Sequence, residues 1–233
     1  MIPKIIHQLW ERSNEPMPDF FRQLGETWKK HHPEWQYEFW DGARMDKFVN
    51  INYPQLAKVY FNYRYDIQRM DFIRYLILYK TGGMYVDVDY ECFDSFNKYL
   101  LNDKCHFSME PELHCRFFGK TLYFNNALMI TPPGHPFFEF VIKHLQTTFF
   151  SYTASKYLDV LSSTGPLMLT GLYEKYEHKT DIHLLPPEQV SPWTKDDVRD
   201  FINETSDREI LRKKLEKAMA IHYFWGSWLN NEE

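Results

Sequence analysis

Two aspartates one residue apart, Asp87 and Asp89, close the stretch GGMYVDVDYE at residues 82 to 91. In an extended strand, residues i and i+2 share a face about 7 Å apart, so both carboxylates can reach one ligand. Two carboxylates on one face repel each other unless a cation or a proton settles them. Oxygen ligands of this kind suit manganese or magnesium. The tripeptide alone decides nothing, because a chain with 15 aspartates carries about one Asp-x-Asp by chance.

Spacing removes several motifs that begin the same way. An EF-hand loop counted from Asp87 needs glycine at its sixth position and glutamate at its twelfth, where this chain has Cys92 and Lys98. A phosphatase of the haloacid-dehalogenase type wants threonine or valine at the fifth position after its first strand, and Glu91 stands there. A nucleotidyltransferase places its glycines well upstream, whereas Gly83 is close to Asp87. Transfer from a nucleotide-sugar remains. Its diphosphate leaving group is anionic, and a divalent ion held by strand-end carboxylates lowers the cost of cleaving the sugar–phosphate bond.

The elements around the pair support such a placement. Ile2 to Trp10 reads as an opening strand, and Asn14, Pro16 and Pro18 as a loop. Asp19 reads as the cap of a helix that runs through His32 and stops at Pro33. Trp35 to Trp40 alternates as a second strand, and Asp41-Gly42 turns the chain. This β-α-β start favours a mostly parallel central sheet flanked by helices, in an α/β domain. Asp66 to Lys80 has helical spacing and ends on Gly82-Gly83, after which Met84 to Val88 resumes as a strand. The aspartates therefore sit where a core strand ends, which is where such sheets bind ligands. Downstream, Cys105 to Met109, Tyr123 to Ile130 and Ile182 to Leu185 read as strands. Helices are expected from Pro136, over Leu167 to Tyr176, and as one charged helix from Lys195 to Ala220.

Length and composition allow one domain over residues 1–233, with 44% hydrophobic residues for its core. A net charge of −5 argues against a nucleic-acid binder, which needs a basic face. Cys92, Cys105 and Cys115 fit neither a disulfide framework nor a zinc knuckle and are expected as buried thiols. No apolar run approaches the roughly 20 residues of a membrane span, and the start lacks signal-peptide order, so a cytoplasmic protein is expected. Arg208 to Lys217 is basic, with Leu211 and Leu215 on one side; it reads as a solvated helix or as a peripheral contact with the inner face of an anionic membrane.

At this point the chain resembles glycosyltransferases with a DXD-containing sugar-binding region, the group of the fungal initiating α-1,6-mannosyltransferase and of many bacterial capsule and lipopolysaccharide enzymes. The resemblance is carried by IPKIIHQLW at 2 to 10, RMDFIRYLILYKTGGMYVDVDYE at 69 to 91 and HYFWGSW at 222 to 228. FNNALM at 124 to 129, PPGHPF at 132 to 137 and TGP at 164 to 166 match more loosely. It implies a GT-A type, Rossmann-like fold and retaining, divalent-ion-dependent transfer from a UDP- or GDP-sugar to a glycan or lipid-linked acceptor in polysaccharide synthesis. It also implies roles: Asp89 as direct metal ligand, Asp87 at the ribose and the metal's water shell, and His222 as the ligand from the far end of the chain. Asp71 and Arg74 would meet the sugar and the phosphate, with a helix-surface ion pair as the alternative. Tyr85 would border the same pocket or enter the core, Trp10 would stack on the base, and Asn126 would lie near the reacting sugar. Ser227 and Trp228 would donate to the terminal phosphate, closing the C-terminal motif over the donor.

Two other functions fit the same residues. One is a metal-dependent phosphohydrolase of a sugar phosphate with Asp87 as nucleophile; the other is a non-catalytic module that binds a nucleotide-sugar or glycan.

Overall fold

The computed structural model describes residues 1–11, 16–226 and 228. In chain order the elements are β1 (Ile5–Leu9), α1 (Asp19–His31), β2 (Gln36–Trp40), α2 (Gly42–Asn52), α3 (Ala57–Phe61), α4 (Asp66–Thr81), β3 (Gly83–Val86) and β4 (Tyr90–Cys92). There follow β5 (Cys105–Met109), α5 (Glu112–Phe117), β6 (Phe124–Thr131), α6 (Pro136–Thr147), α7 (Lys156–Ser163) and α8 (Pro166–Lys175). The last are β7 (Ile182–Leu185), α9 (Pro187–Val190), α10 (Lys195–Ile202), α11 (Arg208–Lys214) and β8 (Ala220–His222). Asp19 is the first helical residue of α1 rather than its cap, which is Pro18. Asp41 caps α2 by accepting from the Arg44 N–H, so Asp41-Gly42 opens a helix rather than a bare turn.

Six strands form one sheet in the order β2-β1-β3-β6-β5-β7. β1 pairs parallel with β2 and β3, and β5 pairs parallel with β7, while β6 is antiparallel to both β3 and β5. The sheet is thus mostly parallel, with β6 alone reversed. Because β6 runs backwards, its beginning lies at the same edge as the ends of β1, β3 and β5. Side chains alternate across it: Tyr85 and Met129 enter a core with α4, α6 and α8, whereas Met84, Val86, Leu128 and Ile130 enter a second core that includes Trp28 of α1. The middle of α4, Asp71 to Leu78, is buried all round.

The charged segment 195–220 is not one helix. Trp193, Val198, Leu211 and Ile221 form a small core of their own, which folds α10 and α11 back on each other and leaves 220–222 as a strand. Leu211 is buried in that core and Leu215 packs on it, so the apolar side that suggested a membrane contact is turned inward. All three cysteines are free and buried. No helix among the described residues is long and apolar enough to cross a membrane.

Candidate active site

α4 ends on Gly82 and Gly83, with φ of +66° and +99°. A Cβ on Gly83 would stand 2.7 Å from the Ile5 carbonyl oxygen, so glycine is what lets β3 start flush against β1. β3 stops at Val86. The aspartate pair is not in an extended strand as the spacing suggested: the Tyr90 N–H bonds back to the Asp87 carbonyl (3.2 Å), making a turn of residues 87–90. The turn leads into β4, which pairs with β8 through Tyr90↔His222. That pairing carries His222 across the sequence to the aspartates, and one ligand atom from each of Asp87, Asp89 and His222 falls within 4.8 Å of the others.

His222 stacks on Tyr90 with ring centroids 4.4 Å apart and packs against Phe224 at 4.1 Å. Its Nε2 is 3.4 Å from Asp89 Oδ1, and its Nδ1 is buried with no hydrogen-bond partner among the described residues. Asp89 also accepts from the Trp225 N–H at 2.9 Å, and its carbonyl accepts from Tyr223 N–H at 3.0 Å, fastening the C-terminal segment to the turn. Burial alone would raise the Asp89 pKa, but His222 and the Trp225 N–H outweigh it and hold the carboxyl below its ordinary value. Burial raises Asp87, opposed by Arg74 and assisted by Asp89. His222 is held above its ordinary value because Asp89, with Glu110 and Asp87, overrides the effect of burial. Two carboxylates and an imidazole with a stranded ring nitrogen form a donor set that fits manganese or magnesium.

A second charged layer lies beneath. Arg74 is 4% exposed and sits 3.3 Å from both Asp71 Oδ1 and Asp87 Oδ1; it also donates to the Asn126 carbonyl at 3.0 Å. Asp71 and Arg74 are therefore a buried pair, not a helix-surface one. Asp71 accepts from Asn126 Nδ2 (2.9 Å) and from the Thr164 hydroxyl (2.8 Å), and burial raises its pKa. Tyr85 does not line the cavity; its ring is in the core under Arg74, and its hydroxyl donates to Asp87.

These groups open into one cavity of about 1140 Å³ that Trp10, Asn126 and Trp228 also line. Trp10 packs on Phe21, and Trp228 stacks on Tyr157 with centroids 6.0 Å apart. Ser227 lies outside the described residues. Among the lining or supporting groups not anticipated from the sequence are Thr164, Glu110 and His114. Thr164 had a signal in TGP, a loose match to the family; Glu110 and His114 had none, since the glutamates and histidine of EPELH match no metal or catalytic spacing. Burial would raise Glu110, but the His114 hydrogen bond and the charge of His222 hold it below its ordinary value.

The family model for glycosyltransferase sugar-binding regions containing a DXD motif matches residues 18–106. Inositol phosphoceramide mannosyltransferase 2 of Schizosaccharomyces pombe is 31% identical over 179 residues, 77% of this chain and 48% of that protein. An uncharacterized glycosyltransferase of Acanthamoeba polyphaga mimivirus is 30% identical over 196 residues, 82% of this chain and 74% of its own. The chain thus spans about half the length of the first of these relatives and three quarters of the second. Among solved structures, the PaToxG glycosyltransferase superposes with a TM-score of 0.54 at 14% identity, over 93% of this chain and 84% of that one, so the expected GT-A type fold is shared.

Proposed function

The chain belongs to the glycosyltransferases whose sugar-binding region contains a DXD motif, and from that premise we propose that it moves a hexose from a nucleotide-diphosphate sugar to a hydroxyl acceptor. The observation that carries the reading is the convergence of Asp87, Asp89 and His222 within 4.8 Å, beside the buried Asp71–Arg74 pair, in one large cavity. Asp87, Asp89 and His222 would hold a manganese or magnesium ion, which when bound supplies positive charge to the diphosphate.

The protein's own groups do the rest. Trp10, at the end of β1, offers a ring for the UDP or GDP base. Asp71, Arg74 and Asn126 face the sugar, with Asp71 accepting from its hydroxyls. The Trp225 N–H bond to Asp89 sets the C-terminal segment over the phosphates, where the Trp228 indole is the donor. Retention of configuration by same-face attack fits best, since no carboxylate stands out as a covalent nucleophile and Asp71 is paired with Arg74 and bonded by Asn126 and Thr164. Mannose as the sugar, and a hydroxyl on a lipid as the acceptor, are supported by the name of the Schizosaccharomyces pombe inositol phosphoceramide mannosyltransferase. The phosphohydrolase reading fits poorly, because Glu91 stands where such a phosphatase wants threonine or valine and β1, α1 and β2 come before the pair.

Donor hydrolysis without acceptor tests the proposal. Turnover should need manganese or magnesium, stop in excess chelator and fall about 100- to 1000-fold in Asp89→Ala, equal to ~3–4 kcal/mol. Full activity in chelator or in that variant overturns the metal-assisted reading. Saturable nucleotide-sugar binding without any turnover supports the non-catalytic alternative.

A further inference from the structure

The sugar-binding groups account for one part of the cavity and leave a buried carboxylate unused. Glu110 follows β5 directly, after a register irregularity between Phe107 and Met109, and its N–H bonds to the Tyr123 carbonyl at 3.0 Å. Such irregularities re-aim the next side chain. Glu110 is 6% exposed and lines the cavity. Its Oε1 accepts from Asn125 Nδ2 at 2.8 Å, and its Oε2 lies 2.6 Å from His114 Nδ1. His114 Nε2 accepts from the Lys195 N–H at 3.2 Å, which fixes the tautomer that donates to Glu110. Each carboxylate oxygen thus has one donor and keeps a lone pair for another.

Position gives this carboxylate its meaning. β1, β3 and β5 point the same way, so Trp10, Asp87 and Glu110, each directly after its strand, form a row along one sheet edge. With β6 between β3 and β5, Glu110 stands two strand spacings, about 10 Å, beyond Asp87 and about 14 Å from Trp10. Asn126, at the start of β6, lies between. The row runs from base to phosphates to transferred sugar, and Glu110 is the next group after the sugar. Beyond it, Phe117, Phe118 and Tyr157 line the cavity as rings on which a further sugar or an apolar group can lie. The pair is also tied to the metal site, since His114 packs edge-on against Phe224 at 5.0 Å and Phe224 packs on His222.

We propose that Glu110 receives the acceptor: its carboxylate accepts a hydrogen bond from an acceptor hydroxyl, or from water when no acceptor is bound, and holds that molecule for attack on the sugar. The assignment rests on the sugar-transfer reading. With water, one hydrogen stays on the water oxygen, hydrogen-bonded to Glu110, while that oxygen forms the new bond to the anomeric carbon. The bond from that carbon to the diphosphate oxygen breaks, its electron pair leaves with the diphosphate, and the second hydrogen follows as the proton. With a sugar diol, a neighbouring hydroxyl bonds Glu110 and the attacking hydroxyl gives its proton to the diphosphate. Glu110 begins and ends the step as a carboxylate.

The test uses the full chain with manganese and four donor probes: GDP-mannose, UDP-glucose, UDP-galactose and UDP-N-acetylglucosamine. Glu110→Gln should lower kcat for hydrolysis about 10- to 100-fold at saturating manganese, with donor KM unchanged within about twofold. His114→Asn keeps the carboxylate but removes one of its donors; it should lower kcat about three- to tenfold at constant KM, and it decides the matter if Glu110→Gln does not fold. An unchanged kcat in either folded variant overturns the assignment. A raised donor KM overturns it too, since Glu110 would then serve the donor. Absence of hydrolysis of all four donors by the wild-type chain would instead overturn the transfer reading, and the Glu110 assignment with it.

Discussion

Arg74 is a heavily committed buried charge, and removing it should be correspondingly costly. It is buried between two carboxylates at 3.3 Å each, donates to two backbone carbonyls and lies over the Tyr85 ring. In Arg74→Met the side chain keeps much of its packing, but Asp71 and Asp87 lose their common counter-charge inside the protein. Breaking a buried ion pair by removing one partner costs about 3–5 kcal/mol, because the charge left behind is uncompensated. For a chain of this size that corresponds to a melting temperature lower by roughly 6–20 °C. Urea unfolding in the presence of chelator measures the loss without interference from bound metal. Arg74→Met/Asp71→Asn removes one stranded charge as well and should recover about 1–2 kcal/mol, a coupling that an additive pair of independent sites would not show. A loss under 1 kcal/mol in the single variant, or no recovery in the double, would refute the picture of a dry, mutually dependent charge cluster.

Acid should weaken the fold through His7, whose pKa burial lowers to about 4. The unfolded chain takes up a proton below about 6.5 while the folded chain stays neutral, so stability is full above pH 6.5, falls towards pH 4 and then levels, by about 3 kcal/mol. Urea midpoints at pH 7 and pH 4.5 should differ less in His7→Gln than in the wild type, and an equal pH dependence would refute this. Gly83→Ala should cost about 2–3 kcal/mol, since φ of +99° and a Cβ only 2.7 Å from the Ile5 oxygen force β3 away from β1. A urea midpoint unchanged from wild type would show that the β1–β3 contact yields without strain.

Much of the framework was legible because it is written in local periodicity. The helix over 66–80 and the strands at 105–109 and 182–185 were readable from spacing and from the glycines and prolines beside them. The reversal of β6 was not, since a buried apolar run such as ALMI carries no mark of strand direction. The helix expected over 195–220 failed because its charge pattern suits a helix, while Trp193, Leu211 and Ile221 are drawn together by burial that no local window contains. At the site, motif resemblance brought His222 to the aspartates, but only the three-residue pairing of β4 with β8 explains how it arrives. The strand geometry assumed for Asp87 and Asp89 gave way to a turn, which brings the carboxylates together with the imidazole. Glu110 was invisible because its importance lies in the edge it shares with Trp10 and Asp87, not in its neighbours along the chain.

Manganese titration of the full chain, followed by the electron paramagnetic resonance signal of the free ion, tests the three-residue site most directly. The account predicts one saturable ion per chain, lost in Asp89→Asn and in His222→Phe. Binding should tighten as pH rises from about 6 to 8, because Asp89 holds His222 above its ordinary pKa and the imidazole must shed its proton to coordinate. No saturable binding, or the same affinity in both variants as in the wild type, would contradict it.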